Sequence, residues 1–496
     1  MKILFVNWKD INHPQSGGAE VVLWQILKRL KADDYQVSLL TALYKKGEIE
    51  SPEIDNIDGI KIFRTGKNKF LHSIQANFYY QRKLKNEFDL VVEMVNTAPY
   101  FIGLNIFWNN FWTNLKCRIQ KTQSKFGKNN SNNSNNWQNE NLDTKSKLNN
   151  SKNTKFFLFY HQLARQIWWL ETTFPINWIG FFLLEPIATF VQSRLNCTTI
   201  TISNSSKNDL IRFGFDKNKI AIISEGIDNK PLQNLSQQLP KDKIFTVLYH
   251  GSLRAMKRPI EVLKSFVELQ KLIQNWQAEN PKLSQKLEEN WQDKIEQINQ
   301  SLDQSSIKQD SANPQNFSNG QAENYTNKST NLAVNSKNEI KTNSQSISIP
   351  CQLWISGGGE LLEECKAFCR DKKITNLTTF FGRTSDELKL ELMQKSSVLV
   401  ATSLKEGWGL IVTEGNSMGT PAVVYDVDGL RDSGSLAGNF VVKTSPDVMA
   451  NQLFELWKIW QFEQKKYIEI CQQALNTSQK ITFAQCYQDF KQIIQK

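Results

Sequence analysis

Along the first 230 positions, short unbroken apolar runs alternate with stretches whose apolar residues recur at helical spacing. KILFVNW (2–8) predicts a buried strand, and the spacing from Ala19 to Leu30 predicts a helix behind it. YQVSLLTA (35–42), IKIFRTG (60–66), FDLVVEMV (88–95), KFFLFYHQ (155–162) and TTITISNSS (198–206) read as further strands. A helix over Ser205–Phe215, with serines to cap it, and a strand in IAIISEGID (220–228) close this half. A second series starts at IFTVLYHGSL (244–253) and continues through a helix over Ile260–Ile273 and a strand in CQLWISGGGE (351–360). Helices over Leu361–Cys369 and Asp386–Gln394 then alternate with strands in LTTFFGR (377–383) and SSVLVATS (396–403), before a glycine loop, a helix and a last apolar strand. Such alternation predicts an α/β class with mostly parallel sheets and right-handed crossovers. Two units of this kind leave a cleft between them, the default place for a site.

Composition changes this picture in two places. About 123–155 and 276–348 are dominated by Asn, Gln, Ser and Lys, lose apolar periodicity and cannot offset the entropy of ordering, so both read as disordered insertions. The second opens on a charged stretch, Lys282–Ile298, of helical character. The chain's net charge of +11 suits an anionic membrane surface, phosphorylated substrates or nucleic acid. No basic helix, zinc-finger spacing or aromatic RNA-binding signature occurs, which argues against nucleic acid.

Seven cysteines are scattered from Cys117 to Cys486. Cys365 and Cys369 lie four apart on a helical stretch with no second pair or nearby histidine, which favours packing over metal and implies a reducing compartment. The apolar run in MKILFVNWKD is too short for a signal peptide, so a cytoplasmic location is expected. One stretch tests that expectation. IWWLETTFPINWIGFFLLEPIATFV (167–191) is apolar and aromatic, yet Glu171, Pro175, Glu185 and Pro186 leave no run long enough to span a bilayer. A buried helical hairpin and an interfacial membrane contact both fit it.

SLKEGWGLIVTEGNS (403–417) carries the clearest chemistry. Glu406 and Glu414 lie eight apart with Gly407 and Gly409 between them, which places Glu406 on a glycine loop and Glu414 in the first turn of the next helix. A strand feeding such a loop and a helix N-terminus is where open α/β sheets bind ligands. HPQSGGAE (13–20) offers Gly17 and Gly18 at a helix start, either a plain turn or an anion site, without the G-x-G-x-x-G of dinucleotide binders or the Gly-Lys-Ser/Thr of a P-loop. HGSLRAMKRP (250–259) carries Arg254, Lys257 and Arg258, suited to a diphosphate or to a solvated face. ISGGGEL (355–361) is a candidate phosphate cradle, and FFGRT (380–384), with Gly382 and Arg383, could touch a base through backbone. His161, where a strand enters a loop, has a cleft context; His72 has none, and His250 fits a core role as well.

With these residues in place the chain resembles glycosyltransferase family 4, retaining enzymes of the GT-B fold with two Rossmann-like, doubly wound domains facing a cleft. The family frame is met by Ser403, Leu404, Glu406, Gly407, Gly409, Leu410, Glu414, Gly419 and Pro421, the glycine-rich first loop by Gly17, Gly18, Ala19 and Glu20, and the lysine after the second domain's first strand by Lys257. The resemblance implies an acceptor-side domain over 1–235, a nucleotide-sugar domain over 243–470 and a C-terminal helix over 471–496. It implies Glu414 on the ribose, Glu406 on the donor sugar, Lys257 on the diphosphate with Gly17 and Gly18 opposite, and His161 near the reacting sugar. Gly407, Gly409, Leu410, Gly382 and Arg383 would complete the donor site. Where the family has arginine directly after the loop glycine this chain has Ser252, and Arg254 would supply the charge from two positions on. Gly415 replaces the usual alanine.

The implied reaction transfers a hexose from a UDP-, GDP- or ADP-sugar to a glycan or lipid-linked acceptor by front-face attack, with no cofactor and no essential metal. Asp426–Asp428 falls in a loop of the family frame and not in a metal-binding D-x-D. The resemblance favours a peripheral membrane contact through 167–191. A small-molecule acceptor and a non-catalytic glycan-binding relative are the alternatives, and the missing G-x-G-x-x-G argues against a dinucleotide oxidoreductase.

Overall fold

The computed structural model describes residues 1–67, 69–95, 100–104, 154–195, 197–223, 225–227, 231–235, 241, 244–285, 287 and 351–496. Most of both polar insertions, and Cys117, lie outside the described residues.

The N-terminal lobe is built on eight strands: β1 (Lys2–Val6), β2 (Gln36–Thr41), β3 (Ile54–Ile57), β4 (Ile60–Arg64), β5 (Leu90–Val95), β6 (Lys155–Tyr160), β7 (Thr198–Thr201) and β8 (Ile220–Ile222). They lie in the order β8-β7-β6-β5-β1-β2-β4-β3. All pair in parallel except the edge strand β3, which turns back on β4 with Ile54 opposite Phe63. The C-terminal lobe holds β9 (Phe245–His250), β10 (Cys351–Ser356), β11 (Thr378–Gly382), β12 (Val398–Ala401), β13 (Ala422–Tyr425) and β14 (Phe440–Val442), all parallel in the order β11-β10-β9-β12-β13-β14. Each sheet reverses its strand order beside its first strand, so both carry a crevice at the carboxyl edge.

Among the described residues, the helices of the N-terminal lobe are α1 (Gly18–Ala32), α2 (Lys69–Tyr79), α3 (Ile167–Glu171), α4 (Ile176–Ile179), α5 (Glu185–Ser193) and α6 (Asn204–Arg212). Those that follow are α7 (Pro259–Glu279), α8 (Leu362–Asp371), α9 (Asp386–Lys395), α10 (Leu410–Ser417), α11 (Leu430–Gly434), α12 (Pro446–Phe462), α13 (Gln464–Ser478) and α14 (Phe483–Gln495). Helix α7 shows why these segments hold. Pro259 starts it, and Val262, Leu263, Phe266, Leu269 and Ile273 face inward at helical spacing. Each such buried side chain contributes about 1.5–3 kcal/mol relative to exposure. The helix continues past Ile273 to Glu279, because Trp276 extends the apolar stripe onto Trp457 of α12, at a ring separation of 5.3 Å. The residues predicted as one helix over 471–496 divide between α13, whose Tyr467 and Cys471 join the C-terminal core, and α14. Helix α14 crosses back to pack Phe483, Cys486 and Phe490 against Phe5 and Leu27.

All six described cysteines are unpaired thiols. Burial pushes Cys365 and Cys486 up to about 12, which leaves both un-ionised, as expected of packing residues.

The aromatic stretch is a hairpin, but not a buried one. Glu185 turns inward, where its carboxylate accepts from the Ala164 and Arg165 amides (2.6 and 2.8 Å) and from Trp168 Nε1 (3.0 Å). Trp168 in turn fills a notch that exists because residue 180 has no side chain; a Cβ there would lie 2.1 Å from the indole. With the polar group and one tryptophan turned in, Trp169, Phe174, Trp178, Phe182, Leu183, Ile187 and Phe190 stay exposed. No described helix is long and apolar enough to cross a membrane.

Candidate active site

Four segments meet at the facing carboxyl edges of the sheets. From β9 the chain enters a tight turn, Ala255–Lys257, that ends with Arg258 in a left-handed conformation (φ 51°). The loop after β12 clamps this turn. Thr402 Oγ1 donates to the Lys257 and Arg258 carbonyls, both at 3.0 Å, and the Leu404 amide donates to the Met256 carbonyl at 2.8 Å. Lys257 Nζ is thereby delivered onto Glu406 Oε1, which also accepts from Ser403 Oγ at 2.6 Å. The Glu406 amide donates to the Asp428 carbonyl (3.0 Å), which fixes the backbone beneath the carboxylate.

The glycines of this loop answer to different constraints. A Cβ on Gly407 would lie 2.8 Å from Ile202 and 3.0 Å from the His161 carbonyl, so the loop closes against the N-terminal lobe only because position 407 is bare. Gly409 caps α10 with φ 90°, a conformation that costs other residues about 1–2 kcal/mol. Leu410, the first residue of α10, lies 3.1 Å from where a Cβ on Gly18 would stand. The N-termini of α1 and α10 therefore converge, and two sets of free helix N–H groups face one place. Part of that capacity is already used at α1, where Glu20 accepts the Gly17 amide at 2.7 Å and pairs with Lys9 at 3.4 Å.

Glu414 is not in the first turn of its helix. Leu410 opens α10, so Glu414 is its fifth residue, and its Oε1 takes Lys389 Nζ of α9 at 3.0 Å. Burial works against the Lys389 ammonium, but Glu414 and then Asp386 outweigh it and raise its pKa. His250, at the end of β9, is pushed down to about 4 by burial and by the nearby Lys389, so it is neutral at pH 7. Its Nδ1 lies 2.9 Å from Ser356 Oγ.

Arg254 turns back on its own loop, where its Nε donates to Ser252 Oγ at 3.1 Å. The triple glycine after β10 is needed for packing. A Cβ on Gly357 would lie 1.9 Å from the Gly251 carbonyl, and one on Gly359 2.3 Å from the Leu253 carbonyl, so this loop backs the β9 loop instead of standing open as a cradle. Beside it, Gly382 (φ 68°) takes the Gly357 amide on its carbonyl at 2.7 Å, and Arg383 lies over Gly358. His161 follows β6 with its carbonyl held by Ser206 Oγ at 2.8 Å. His72 is fully buried in the N-terminal lobe, beside Trp8 and Tyr100.

The site thus joins His161, Gly18, Gly407, Gly409, Leu410, Glu406 and Lys257, with Glu414, Lys389, His250, Gly382 and Arg383 on the C-terminal lobe. Lys389 and Glu225, which faces His161, carry no functional signal of their own in the sequence, because each acts through a tertiary neighbour. Asp426 and Asp428 are met by Arg431 at 2.5 and 3.1 Å, and Asp428 also by Lys405 at 3.7 Å. Among the described residues no group of three or more His, Cys, Asp or Glu side chains is placed to hold a metal ion.

Comparison with solved structures fixes the architecture. Sucrose-phosphate synthase (tll1590) of Thermosynechococcus elongatus aligns over 100% of this chain and 98% of its own, with a TM-score of 0.56 at 13% identity. Anabaena Alr3699/HepE, solved in complex with UDP and glucose, aligns over 100% and 99% with a TM-score of 0.54 at 13% identity. The architecture is the GT-B fold. Within this GT-B chain, residues 326–470 match the family model described as glycosyl transferases group 1. An uncharacterized glycosyltransferase of Methanocaldococcus jannaschii, MJ1607, is 25% identical over 115 residues, 23% of this chain and 30% of the relative. The residues that match this model include Glu406 and Glu414 of the C-terminal lobe, while Lys257 lies before them in the chain.

Proposed function

We infer that the chain is a retaining glycosyltransferase that moves a hexose from a UDP-, GDP- or ADP-sugar to a glycan or lipid-linked acceptor. The observation that carries this reading is the convergence of the α1 and α10 N-termini, Gly18 against Leu410, beside the Lys257–Glu406 pair. A nucleoside diphosphate leaves readily when its charge is stabilised, and two helix N-termini plus a lysine supply that stabilisation without covalent chemistry. A bound diphosphate would draw Lys257 from Glu406 and release the carboxylate to accept from donor-sugar hydroxyls. Gly382 and Arg383 would border the base, and the acceptor hydroxyl would attack from the leaving-group face near His161, its proton passing to the departing phosphate. Arg431 pairs with both Asp426 and Asp428, and Lys405, held by Asp209 at 2.5 Å, lies 3.7 Å from Asp428, which supports transfer without an essential metal.

The reading is tested by incubating the chain, without added metal, with UDP-, GDP- and ADP-sugars and lipid extract while measuring nucleoside diphosphate release. Silence across the panel, with no donor bound, would overturn it. Glu414 is assigned to the ribose hydroxyls, in competition with Lys389. Glu414→Ala is expected to weaken donor binding by about 10-fold, the loss of one or two hydrogen bonds to a charged group. The fold should stand, since Lys389 keeps Asp386 at 3.2 Å. Titration calorimetry that returned an unchanged affinity would remove Glu414 from the site.

A lipid-linked acceptor needs the enzyme at a bilayer. The exposed aromatics of 169–190 suit an anionic lipid surface, with no acidic side chain between Thr172 and Leu184 and Arg194 stacked 4.7 Å from Phe190 at the rim. On this reading the chain sits peripherally on the inner face of the cytoplasmic membrane. Trp178→Ser/Phe182→Ser is expected to lower binding to phosphatidylglycerol vesicles by at least about 10-fold, since each ring leaving the interface forfeits on the order of 1 kcal/mol or more. Co-sedimentation equal to the parent's would reject this face as the contact.

A further inference from the structure

His161 has a partner that its place in the donor site does not require. Its Nδ1 lies 3.3 Å from Glu225 Oε1, and both side chains are nearly excluded from solvent. Its other ring nitrogen, Nε2, is buried with no hydrogen-bond partner among the described residues. The ring cannot turn freely. It stacks on Phe159 at a centroid distance of 4.9 Å, and its main chain is held between Ser206 and Gly407. Glu225 is fixed as well: a Cβ on Gly226 would lie 2.4 Å from the Phe483 amide, and Ile227 bridges to Thr482. The acidic residue is thus clamped by the start of α14 while its carboxylate reaches the carboxyl edge of the N-terminal sheet.

A carboxylate only accepts, so the imidazole nitrogen that faces it carries the proton. In a neutral ring the other nitrogen is then a lone-pair acceptor. The reverse tautomer would set two acceptors against each other at Glu225 and leave a buried N–H with no partner. We propose that Glu225 is a positioning residue that holds His161 in the Nδ1–H tautomer, so that Nε2 offers an acceptor to a substrate hydroxyl. The identity of that hydroxyl, on the donor sugar or the acceptor, rests on the glycosyltransferase reading above; the tautomer does not. The 3.3 Å contact is long, and such contacts shorten when substrate fills a site.

Long-range 1H–15N spectra of the full chain, labelled at its four histidines and assigned with His161→Asn, read the tautomer with no substrate present. The expected result is Nδ1–H in the parent and a mixture of tautomers in Glu225→Gln, whose amide can donate as well as accept. In transfer assays Glu225→Gln is expected to lower kcat about 10–100-fold, the usual cost of losing a group that orients a histidine, with little change in donor KM. Glu225→Asp, which keeps the charge, should recover most of the rate. A parent ring protonated at Nε2, neutral or cationic, overturns the proposal, as does an unchanged tautomer in Glu225→Gln whatever its rate. Should Glu225→Gln not fold, the parent and Glu225→Asp spectra decide. A parent that binds no donor counts against the glycosyltransferase reading, and the spectra still judge the pair.

Discussion

Lys257→Ala is expected to lower kcat/KM for sugar transfer by roughly 10²–10³-fold, the loss found when one preorganised charge is removed from a developing anion. The side chain ends on Glu406, in the loop that leads into α10, so its field would add to that of the helix N-terminus where the leaving diphosphate would gain charge. Lys257 reaches Glu406 across the cleft edge, whereas Arg254, three positions earlier, directs its Nε to Ser252. Thermal stability should fall only modestly, because the Lys257 and Glu406 side chains are 23% and 15% exposed. Such a pair sits between an exposed one, worth roughly 0–1 kcal/mol, and a fully buried one, whose breaking costs roughly 3–5 kcal/mol. Glu406→Ala and the double variant complete a cycle. Because the two side chains touch, their effects on kcat/KM should fall well short of additive. A Lys257→Ala enzyme within about 10-fold of the parent in initial-rate kinetics would place the leaving-group cation elsewhere.

Much of the scaffold is legible in the sequence because period and punctuation report it. The parallel strands, the loop placement of Glu406 and the helix stop at Gly419, which has φ 71°, follow from apolar runs broken by glycine. The antiparallel edge strand β3 is not: its Ile-Asp-Asn-Ile segment is too short and too polar to stand out, and only pairing with β4 makes it a strand. Local pattern also fails where neighbours decide. Trp168 and Trp169 are adjacent and chemically identical, yet one is buried against Gly180 and Glu185 and the other is exposed. The triple glycine reads as an open cradle because a bare backbone suits a phosphate and a neighbouring loop equally well, and here Gly251 and Leu253 occupy the space. Glu225 and Lys389 are invisible for a related reason, since a carboxylate or an amine has no signature until its tertiary partner is known.

Gly429→Ala is expected to disable donor binding from a position that bears no functional group. Gly429 has φ 81°, and a Cβ there would stand 2.2 Å from the Glu406 carbonyl oxygen and 2.9 Å from the Gly407 carbonyl carbon. The conformation alone, with ψ at −50° outside the left-handed helical region, costs about 1–3 kcal/mol for a residue with a side chain. The overlap is with backbone, which has no rotamer to yield, so the 406–407 loop must move. That loop carries Glu406 on one side and closes on His161 through Gly407 on the other, and a displacement of about 1 Å can cost on the order of 10²-fold in rate. Gly47→Ala, in an exposed turn outside the site, separates strain from crowding: φ is 63°, but nothing lies within 4 Å of the added carbon. Both variants should lose a similar few degrees of Tm to backbone strain, while only Gly429→Ala should lose nucleotide binding by titration calorimetry beyond what that strain explains. Equal binding losses in the two would mean that the loop is not held in register by the bare backbone at position 429, and that Glu406 owes its place to Ser403, Lys257 and the Asp428 carbonyl.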